Sequence, residues 1–221
     1  MIFFFLVFPL LILAQSNFDK AEELFKEKKY SQAEPLFETY LKQNSSHLKT
    51  IEYLGDIAGH EKAWDKAIGY YKKLKQLKPS EANYHFKYGG ALGMKAKDSN
   101  KFKALGMIGE VRQSFEKAIA LNPKHIEARW ALVYLYINLP GIVGGSETKA
   151  IKYSNELLKL SSVDGYLSRG QIDEYFERYT AAEEQYKKAI AAGSTKVGVK
   201  MLTNLYKNKM NQPEKAAKIK I

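Results

Sequence analysis

The residues whose types and spacing best suggest chemistry lie between Asn138 and Lys149, in the stretch NLPGIVGGSETK. Glycines followed by Ser, Glu, Thr and Lys have the composition of a loop that holds a phosphate. Ile142-Val143-Gly144-Gly145 has the form of the activated start of a trypsin-like protease. Ser146 and Lys149 have the spacing of a β-lactamase nucleophile and its base. The rest of the sequence decides whether this stretch is an active site or a turn of the chain.

The partners that each of these chemistries needs are absent from the sequence. A phosphate-binding P-loop requires Gly-x-x-x-x-Gly-Lys-Ser/Thr after a strand, but no Lys directly follows Gly144 or Gly145. A trypsin-like protease needs a Gly-Asp-Ser-Gly-Gly motif, and a Ser-x-x-Lys enzyme needs Ser-Asp-Asn and Lys-Thr-Gly motifs. None of these motifs occurs, so the enzymatic interpretations fail and we expect no catalytic residues here.

Two non-catalytic interpretations of the loop remain. As a turn, it has Pro140 to end one helix, glycines that accept positive φ, and Ser146 or Thr148 to cap the next helix. As a binding site, it would offer the backbone N–H groups of Gly144, Gly145 and Ser146 to an anion at a helix N-terminus. Both interpretations place the stretch between two helices.

The rest of the chain offers no second set of catalytic or metal-binding residues. It has four histidines and no cysteine, which excludes disulfides, thiolate metal sites and cysteine nucleophiles. His60-Glu61 begins like the helix of a zinc protease, but Trp64 stands where the second histidine is required. We therefore predict that the protein is not an enzyme and that it binds no metal ion and no cofactor.

Lysine dominates the charge of the chain. There are 35 Lys and Arg residues against 24 Asp and Glu residues, a net charge of +11. The excess is spread along the chain without a run of five like charges, so we predict no nucleic-acid partner. Such a pattern is typical of a solvated helical surface, and it also permits contact with an anionic membrane surface. Lys95, Lys97, Lys101 and Lys103 flank Asp98-Ser99-Asn100, the predicted turn of a lengthened hairpin.

The first residues of the sequence predict export. Ile2 to Ala14 are continuously apolar, and this run is too short to span a bilayer, which needs about 20 residues. With the small residue Ala14 before Gln15, the run has the form of a secretory signal peptide, although no Lys or Arg follows Met1. We predict a signal peptide at residues 1–14, cleaved after Ala14, and an exported, periplasmic protein. An uncleaved anchor and a buried helix are the alternatives.

The chain after the signal peptide repeats with a fixed period. Ala33 and Ala67 are 34 residues apart, as are Ala182 and Ala216. Apolar residues recur around them at helical spacing, with small residues at fixed offsets. The pattern resembles the tetratricopeptide repeat, a pair of antiparallel helices of this length. The resemblance implies repeats at residues 14–47, 48–81, 82–125, 126–162 and 163–196, with a truncated unit at 197–221.

The resemblance implies an all-α fold, a right-handed α-solenoid of tandem helix pairs that occupies residues 15–221. Small residues such as Gly55 and Gly170 would let the two helices of a pair approach closely. Ser31-Gln-Ala-Glu34 and Thr180-Ala-Ala-Glu183 have the form of capping boxes at the start of second helices. Stacking of the repeats is required, since no single repeat can bury its apolar stripe alone.

The resemblance also implies a binding surface, because the first helices of tetratricopeptide repeats line a concave groove. Carried over to this chain, the candidate groove residues are Phe86, Trp130, Tyr134, Asn138, Gln171 and Tyr175. Aromatic side chains in a groove are the anchors that a peptide-binding site needs.

We therefore predict an exported, non-catalytic scaffold or adaptor that binds a protein or peptide partner in the cell envelope. The helix-pair segments and the glycine loop together resemble exported bacterial tetratricopeptide-repeat proteins of unassigned role. The alternative function is a periplasmic small-molecule or anion-binding carrier that uses the loop 140–149 through Gly144, Gly145 and Ser146. A third interpretation is a membrane-surface adaptor that acts through the lysine excess.

Overall fold

The computed structural model describes residues 7–193 and 196–219, and for residues 7–16 it describes the backbone alone. This part of the chain is all-α, as the sequence predicts. The chain divides into two compact units, an N-terminal unit that ends at Leu121 and a C-terminal unit that begins at Asn122. The α-helices of the N-terminal unit are α1 Val7–Lys26, α2 Tyr30–Gln43, α3 Leu48–His60, α4 Trp64–Leu77, α5 Ala82–Lys97 and α6 Lys101–Leu121. Those of the C-terminal unit are α7 Ile126–Asn138, α8 Glu147–Leu160, α9 Ser162–Tyr175, α10 Tyr179–Ala191, α11 Lys196–Asn208 and α12 Pro213–Ala217.

Short turns join the two helices of a pair and make them antiparallel. Three residues connect α1 to α2, α3 to α4, and α9 to α10. In each of these turns one non-glycine residue has a positive φ: Lys28 at 61°, Lys62 at 59° and Glu177 at 59°. The left-handed residue lets the following N–H group donate back over the end of the first helix, as the N–H of Arg178 does to the carbonyl of Asp173 at 2.8 Å.

The capping boxes predicted at Ser31 and Thr180 are wrong. Helices α2 and α10 begin one residue earlier, at Tyr30 and Tyr179, and the residues that precede them form no side-chain capping hydrogen bond. The tight turn leads directly from one helix into the next, so Ser31 and Thr180 lie inside the first helical turn. The capping-box pattern was present in the sequence, but the turn geometry determines where each helix begins.

Glycines in the first helices allow the aromatic rings of the second helices to pack directly on the backbone. A Cβ atom on Gly55 would lie 2.6 Å from the ring of Tyr71, and one on Gly170 would lie 2.4 Å from the ring of Tyr186. Both distances are shorter than any carbon–carbon packing contact tolerates. The predicted close approach of the helices at these glycines is therefore confirmed in both units.

We expect Gly170→Ala to lower the free energy of unfolding by about 1–3 kcal/mol, because the added methyl group overpacks the buried ring of Tyr186. Gly69→Ala is the matched control, since nothing lies within 4 Å of a Cβ at that helical position. The control should stabilise the protein by about 0.5–1 kcal/mol through helix propensity. Urea unfolding measures both changes. Equal effects of the two substitutions would contradict the close-approach argument.

The α5–α6 hairpin is longer than the neighbouring helix pair. Helices α5 and α6 have 16 and 21 residues, whereas α3 and α4 have 13 and 14. The turn Asp98–Asn100 joins them at the predicted place. The indole N–H of Trp64 donates to Asp98 at 2.6 Å, and Lys95 forms an ion pair with Asp65. These contacts hold the end of α5 against the start of α4.

The predicted signal peptide at residues 1–14 lies largely beyond what the structure describes. Residues 1–6 are outside the described residues, and the backbone of Val7–Ala14 forms the beginning of α1. Cleavage after Ala14 therefore stays a prediction. Within the described residues, no helix combines the length and apolarity that a bilayer crossing requires. The predicted repeat boundaries likewise stay a prediction.

Candidate peptide-binding cleft

An open cleft of about 690 Å³ lies in the C-terminal unit between α7, α9 and α11. Each of these helices is the first of a pair, and each presents residues spaced three and four apart to the opening. We call this opening the α7–α11 cleft. Its lining residues are Tyr134, Ile137, Asn138, Gln171, Glu174, Tyr175, Glu177, Tyr179, Tyr186, Val197, Lys200, Met201, Asn204 and Lys209.

Two tyrosines of the α7–α11 cleft are exposed although they are large aromatic residues. Tyr134 on α7 is 52% exposed, and Tyr175 on α9 is 48% exposed. Val197 and Met201 on α11 add an aliphatic wall. Because each ring combines an apolar face with a hydroxyl group, the cleft can contact both the side chains and the backbone of a bound segment.

Amide side chains give the cleft its hydrogen-bonding capacity. The amide nitrogen of Asn138 donates to the carbonyl of Tyr134 at 2.8 Å, which fixes its orientation and leaves its carbonyl oxygen free to accept. Asn204 accepts from Asn208 at 2.6 Å. Within the described residues, the side-chain amide of Gln171 has no hydrogen-bond partner. A free amide that both donates and accepts matches the backbone of an extended peptide.

Charged groups of both signs border the cleft. Glu174 accepts a hydrogen bond of 2.8 Å from the hydroxyl of Tyr186, and burial, with this bond, raises the pKa of that phenol. Glu174 forms no ion pair with any described residue, and the same is true of Lys200 and Lys209. The cleft therefore has unpaired charge of both signs, so its chemistry does not select an anion alone.

The structure places four of the six predicted groove residues, Tyr134, Asn138, Gln171 and Tyr175, around the α7–α11 cleft. Trp130 does not line the cleft. Its ring packs against the core of the C-terminal unit, and its indole N–H donates to Asp164 at 2.7 Å.

Phe86 belongs to the N-terminal unit, where its ring centroid lies 5.8 Å from that of Phe115. Neither Phe86 nor Trp130 is therefore part of the cleft in the C-terminal unit.

Among the lining residues that the sequence did not predict, those of α11 form a whole wall of the cleft. Val197, Lys200, Met201 and Asn204 line the cleft, but the predicted groove positions ended with the fifth repeat. The signal was present in the sequence. Residues 197–208 have the apolar spacing of a first helix, and extending the groove positions to this unit would have included Met201.

The anion site predicted at Gly144, Gly145 and Ser146 is wrong. The three backbone N–H groups already donate to carbonyls of the chain: those of Gly141 at 3.0 Å, Pro140 at 3.1 Å and Tyr136 at 3.0 Å, respectively. They have no proton left for an anion.

The glycine loop is a turn, as the first interpretation of it holds. Gly144 has a φ of 103°, and a Cβ on Gly145 would lie 1.8 Å from the carbonyl oxygen of Leu139. Ser146 caps α8 by accepting from the N–H of Lys149 at 3.3 Å, whereas Thr148 lies within that helix. Both glycines are therefore required by the backbone path.

The corresponding face of the N-terminal unit is occupied by its own ion pairs. Lys87 on α5 contacts both Glu52 and Asp56 on α3, each at 2.7 Å. Lys49 on α3 pairs with Glu22 on α1. The hydrogen bonds from Lys49, Tyr53 and Lys26 lower the pKa of Glu22 to about 2. These charges are satisfied within the chain, which distinguishes this face from the α7–α11 cleft.

Stability should depend on pH through Glu22. Its folded pKa lies below the ordinary value, so its contribution is complete above a pH of about 4.5 and is lost as the pH falls through about 2. We expect Glu22→Gln to destabilise the protein at neutral pH and to have progressively less effect below a pH of about 4.5. Urea unfolding between about pH 2 and neutral pH measures the difference in the free energy of unfolding between the variant and the unsubstituted protein. Lys49→Gln should show the same pH dependence. A loss of stability in Glu22→Gln that stays the same at every pH would contradict a role for the Glu22 charge.

Substitution of the packed Trp130 should affect stability more than substitution of the exposed Tyr134. Trp130→Ala removes a core contact and the hydrogen bond to Asp164, so we expect the free energy of unfolding to fall by about 3 kcal/mol. Tyr134→Ala removes an exposed ring and should change it by less than about 0.5 kcal/mol. Thermal and urea unfolding measure both variants. A loss at Tyr134 as large as that at Trp130 would mean that Tyr134 is a structural residue.

Within the described residues, no group of three His, Cys, Asp or Glu side chains is arranged to hold a metal ion.

Residues 18–82 match the tetratricopeptide repeat family. A curated relative, the protein O-mannosyl-transferase TMTC3 of Homo sapiens, is 24% identical over 168 residues, which are 70% of this chain and 17% of TMTC3. The chain thus spans only about a sixth of the length of that relative.

Solved structures share the fold. The tetratricopeptide-repeat protein TTC0263 of Thermus thermophilus has a TM-score of 0.68 and 16% identity, and covers 88% of this chain and 97% of its own. PilW, a type IV pilus biogenesis factor, has a TM-score of 0.68 and 16% identity over 93% of this chain and 89% of its own. YrrB, a protein with an unusual peptide-binding site, has a TM-score of 0.56 and 16% identity over 82% of this chain and 87% of its own.

The match to the tetratricopeptide repeat family thus covers residues 18–82, and the chain is similar in fold to solved tetratricopeptide-repeat structures. Its fold class is that of the α-solenoids built from tandem helix pairs, as the sequence resemblance implies. At these identities the solved structures show the fold alone.

Proposed function

We propose that the chain is a non-catalytic scaffold that binds an extended segment of a protein partner in the α7–α11 cleft. The observation that carries this proposal is the pair of exposed tyrosines, Tyr134 and Tyr175, beside the unpaired amide of Gln171 in one open cleft. Two large aromatic side chains that stay half exposed in one cleft are typical of a binding surface.

The chemistry of the cleft favours a peptide over a small ion. The two rings and the aliphatic wall of Val197 and Met201 can bury side chains of a bound segment. The amides of Gln171 and Asn138 can exchange hydrogen bonds with its backbone. A volume of about 690 Å³ accommodates a few residues, and the open form suits a chain that passes through it.

Binding without catalysis fits the groups that surround the cleft. Glu174 and Tyr186 are hydrogen-bonded to each other, and the described residues that line the cleft include no Ser, Thr, Cys or His that would act as a nucleophile or its base. PilW and YrrB, which share the fold, are described as a pilus biogenesis factor and as a protein with a peptide-binding site. The transferase relative shares only 17% of its length with this chain.

The proposal includes a location. The apolar run from Ile2 to Ala14 supports export to the cell envelope, with the partner in the same compartment. The net charge of +11 supports contact with an anionic membrane surface.

Site-specific photocrosslinking in the native cell tests the proposal. A benzophenone amino acid replaces Tyr134 or Tyr175 in the full chain, and the control replaces Ile142, which is 96% exposed in the same unit and does not line the cleft. We expect one protein to be captured from both cleft positions and not from the control. Capture that is equal at all three positions, or capture only at Ile142, would contradict a partner in the cleft.

Affinity measurements with the captured protein then show whether Tyr134 and Tyr175 contribute more to binding than exposed apolar residues outside the cleft. Two anchor residues that each contribute about 2 kcal/mol correspond to about thirtyfold in affinity per residue. We expect Tyr134→Ala and Tyr175→Ala each to weaken binding by about this factor. The matched control Ile142→Ala/Leu160→Ala removes exposed apolar side chains outside the cleft and should leave the affinity unchanged. Weakening by the control as strong as that by the cleft variants would refute the assignment.

A further inference from the structure

The tip of the α5–α6 hairpin exposes apolar side chains that have no role in the core. Phe102, the second residue of α6, is 89% exposed. Leu105 on the same helix and Met94 at the end of α5 are exposed as well. Farther along α6, Val111 and Phe115 are buried, so the helix changes from a packed to an unpacked apolar face. Phe102 and Leu105 are three residues apart on one helix, so their exposed side chains are neighbours and form an apolar patch, with Met94 exposed near the end of the other helix of the hairpin.

Internal packing does not explain the composition of this face. Phe102, Leu105, Gly106 and Gly109 follow the spacing of one helical face. A Cβ atom added to Gly106 or Gly109 would meet nothing within 4 Å. The described part of the chain therefore leaves this face of α6 uncovered.

The charges around the patch have a single dominant sign. Lys97, Lys101 and Lys103 form no ion pair with any described residue. The one carboxylate in the turn, that of Asp98, already accepts the hydrogen bond from Trp64. The hairpin tip thus carries three lysines without ion pairs among the described residues, all within five positions of the exposed Phe102 in the sequence. An apolar centre within a cationic rim is complementary to a bilayer that has anionic headgroups over an apolar interior.

We propose that the tip of the α5–α6 hairpin docks on an anionic lipid membrane surface. Phe102 enters the headgroup region, and Lys97, Lys101 and Lys103 contact lipid phosphates. This inference specifies the membrane contact included in the proposed function, and it is independent of peptide binding in the α7–α11 cleft. The association is peripheral and reversible, since one ring and three lysines supply far less binding free energy than a membrane span.

A single fluorescent label tests the docking geometry in the full chain. The sequence contains no cysteine, so Phe102→Cys can be labelled uniquely with an environment-sensitive nitrobenzoxadiazole dye. Ile142→Cys is the matched control, because Ile142 is 96% exposed in the C-terminal unit. Vesicles of phosphatidylglycerol and phosphatidylcholine are compared with vesicles of phosphatidylcholine alone. Because the label reports only its own surroundings, binding through the apolar N-terminal segment does not produce the signal.

We expect the fluorescence emission of the label at position 102 to shift to the blue with anionic vesicles and to stay unchanged with neutral vesicles. The emission of the label at position 142 should not shift with either kind of vesicle. In unlabelled protein, Lys101→Gln/Lys103→Gln should lower the vesicle partition coefficient by roughly tenfold or more, since each lysine near an anionic surface contributes about fivefold. The control pair Lys124→Gln/Lys159→Gln, at exposed lysines of the C-terminal unit, should change it much less. Added salt should weaken the binding through screening.

Three results would overturn the inference: no shift at position 102, an equal shift at position 142, or an equal loss with both lysine pairs. If the label at position 102 shows no shift and a benzophenone amino acid at the same position captures a protein in the cell, the patch belongs to a protein partner instead. None of these results would affect the crosslinks at Tyr134 and Tyr175, so failure of the membrane contact is distinguishable from failure of the scaffold proposal.

Discussion

The contact between a glycine of one helix and a tyrosine ring of its partner is the constraint on which the rest of the structure depends. At Gly170 the absence of a side chain lets the ring of Tyr186 cross the first helix, and the hydroxyl then reaches Glu174 at the α7–α11 cleft. At Gly55 the ring of Tyr71 crosses in the same way, and its hydroxyl donates to Asp56 at 2.6 Å. The packing of the pair thus places a polar group on the groove face.

The two units use this arrangement differently. In the N-terminal unit Lys87 neutralises Asp56, and the ion pairs join successive first helices to each other. In the C-terminal unit no lysine or arginine among the described residues pairs with Glu174. The first helices there leave a cleft between them. The same repeat therefore provides a self-satisfied face in one unit and an open face in the other, which explains why binding is proposed for one of them.

The fold could be predicted because its determinants are local and periodic. Glycines such as Gly55 recur at the offset where two helices cross, and Pro140 marks the end of α7. Helix starts were harder to predict, since at Ser31 the geometry of the preceding turn prevailed over the capping-box pattern. The anion loop failed because the sequence does not reveal that the N–H of Gly145 already has an acceptor.

The candidate site could be predicted only in part. Repeat offsets identified Tyr134 and Tyr175, because both follow the groove-facing positions of a first helix. The same offsets could not distinguish them from Trp130, whose ring turns into the core and bonds to Asp164, 34 residues away. Whether a ring at these positions is exposed or packed depends on which neighbouring residues fill the space beside it. Met201 was missed because the predicted groove positions ended with the fifth repeat.

The central claim is that Tyr134 and Tyr175 contact the partner while the buried tyrosines serve the fold. The most direct measurement is NMR of the chain with ¹³C-labelled tyrosine rings, recorded as the partner captured at the cleft is added. The account predicts that the ring signals of Tyr134 and Tyr175 shift, while those of Tyr71 and Tyr88 in the N-terminal unit do not. Shifts at Tyr71 and Tyr88 with unchanged signals from the two cleft tyrosines would contradict it.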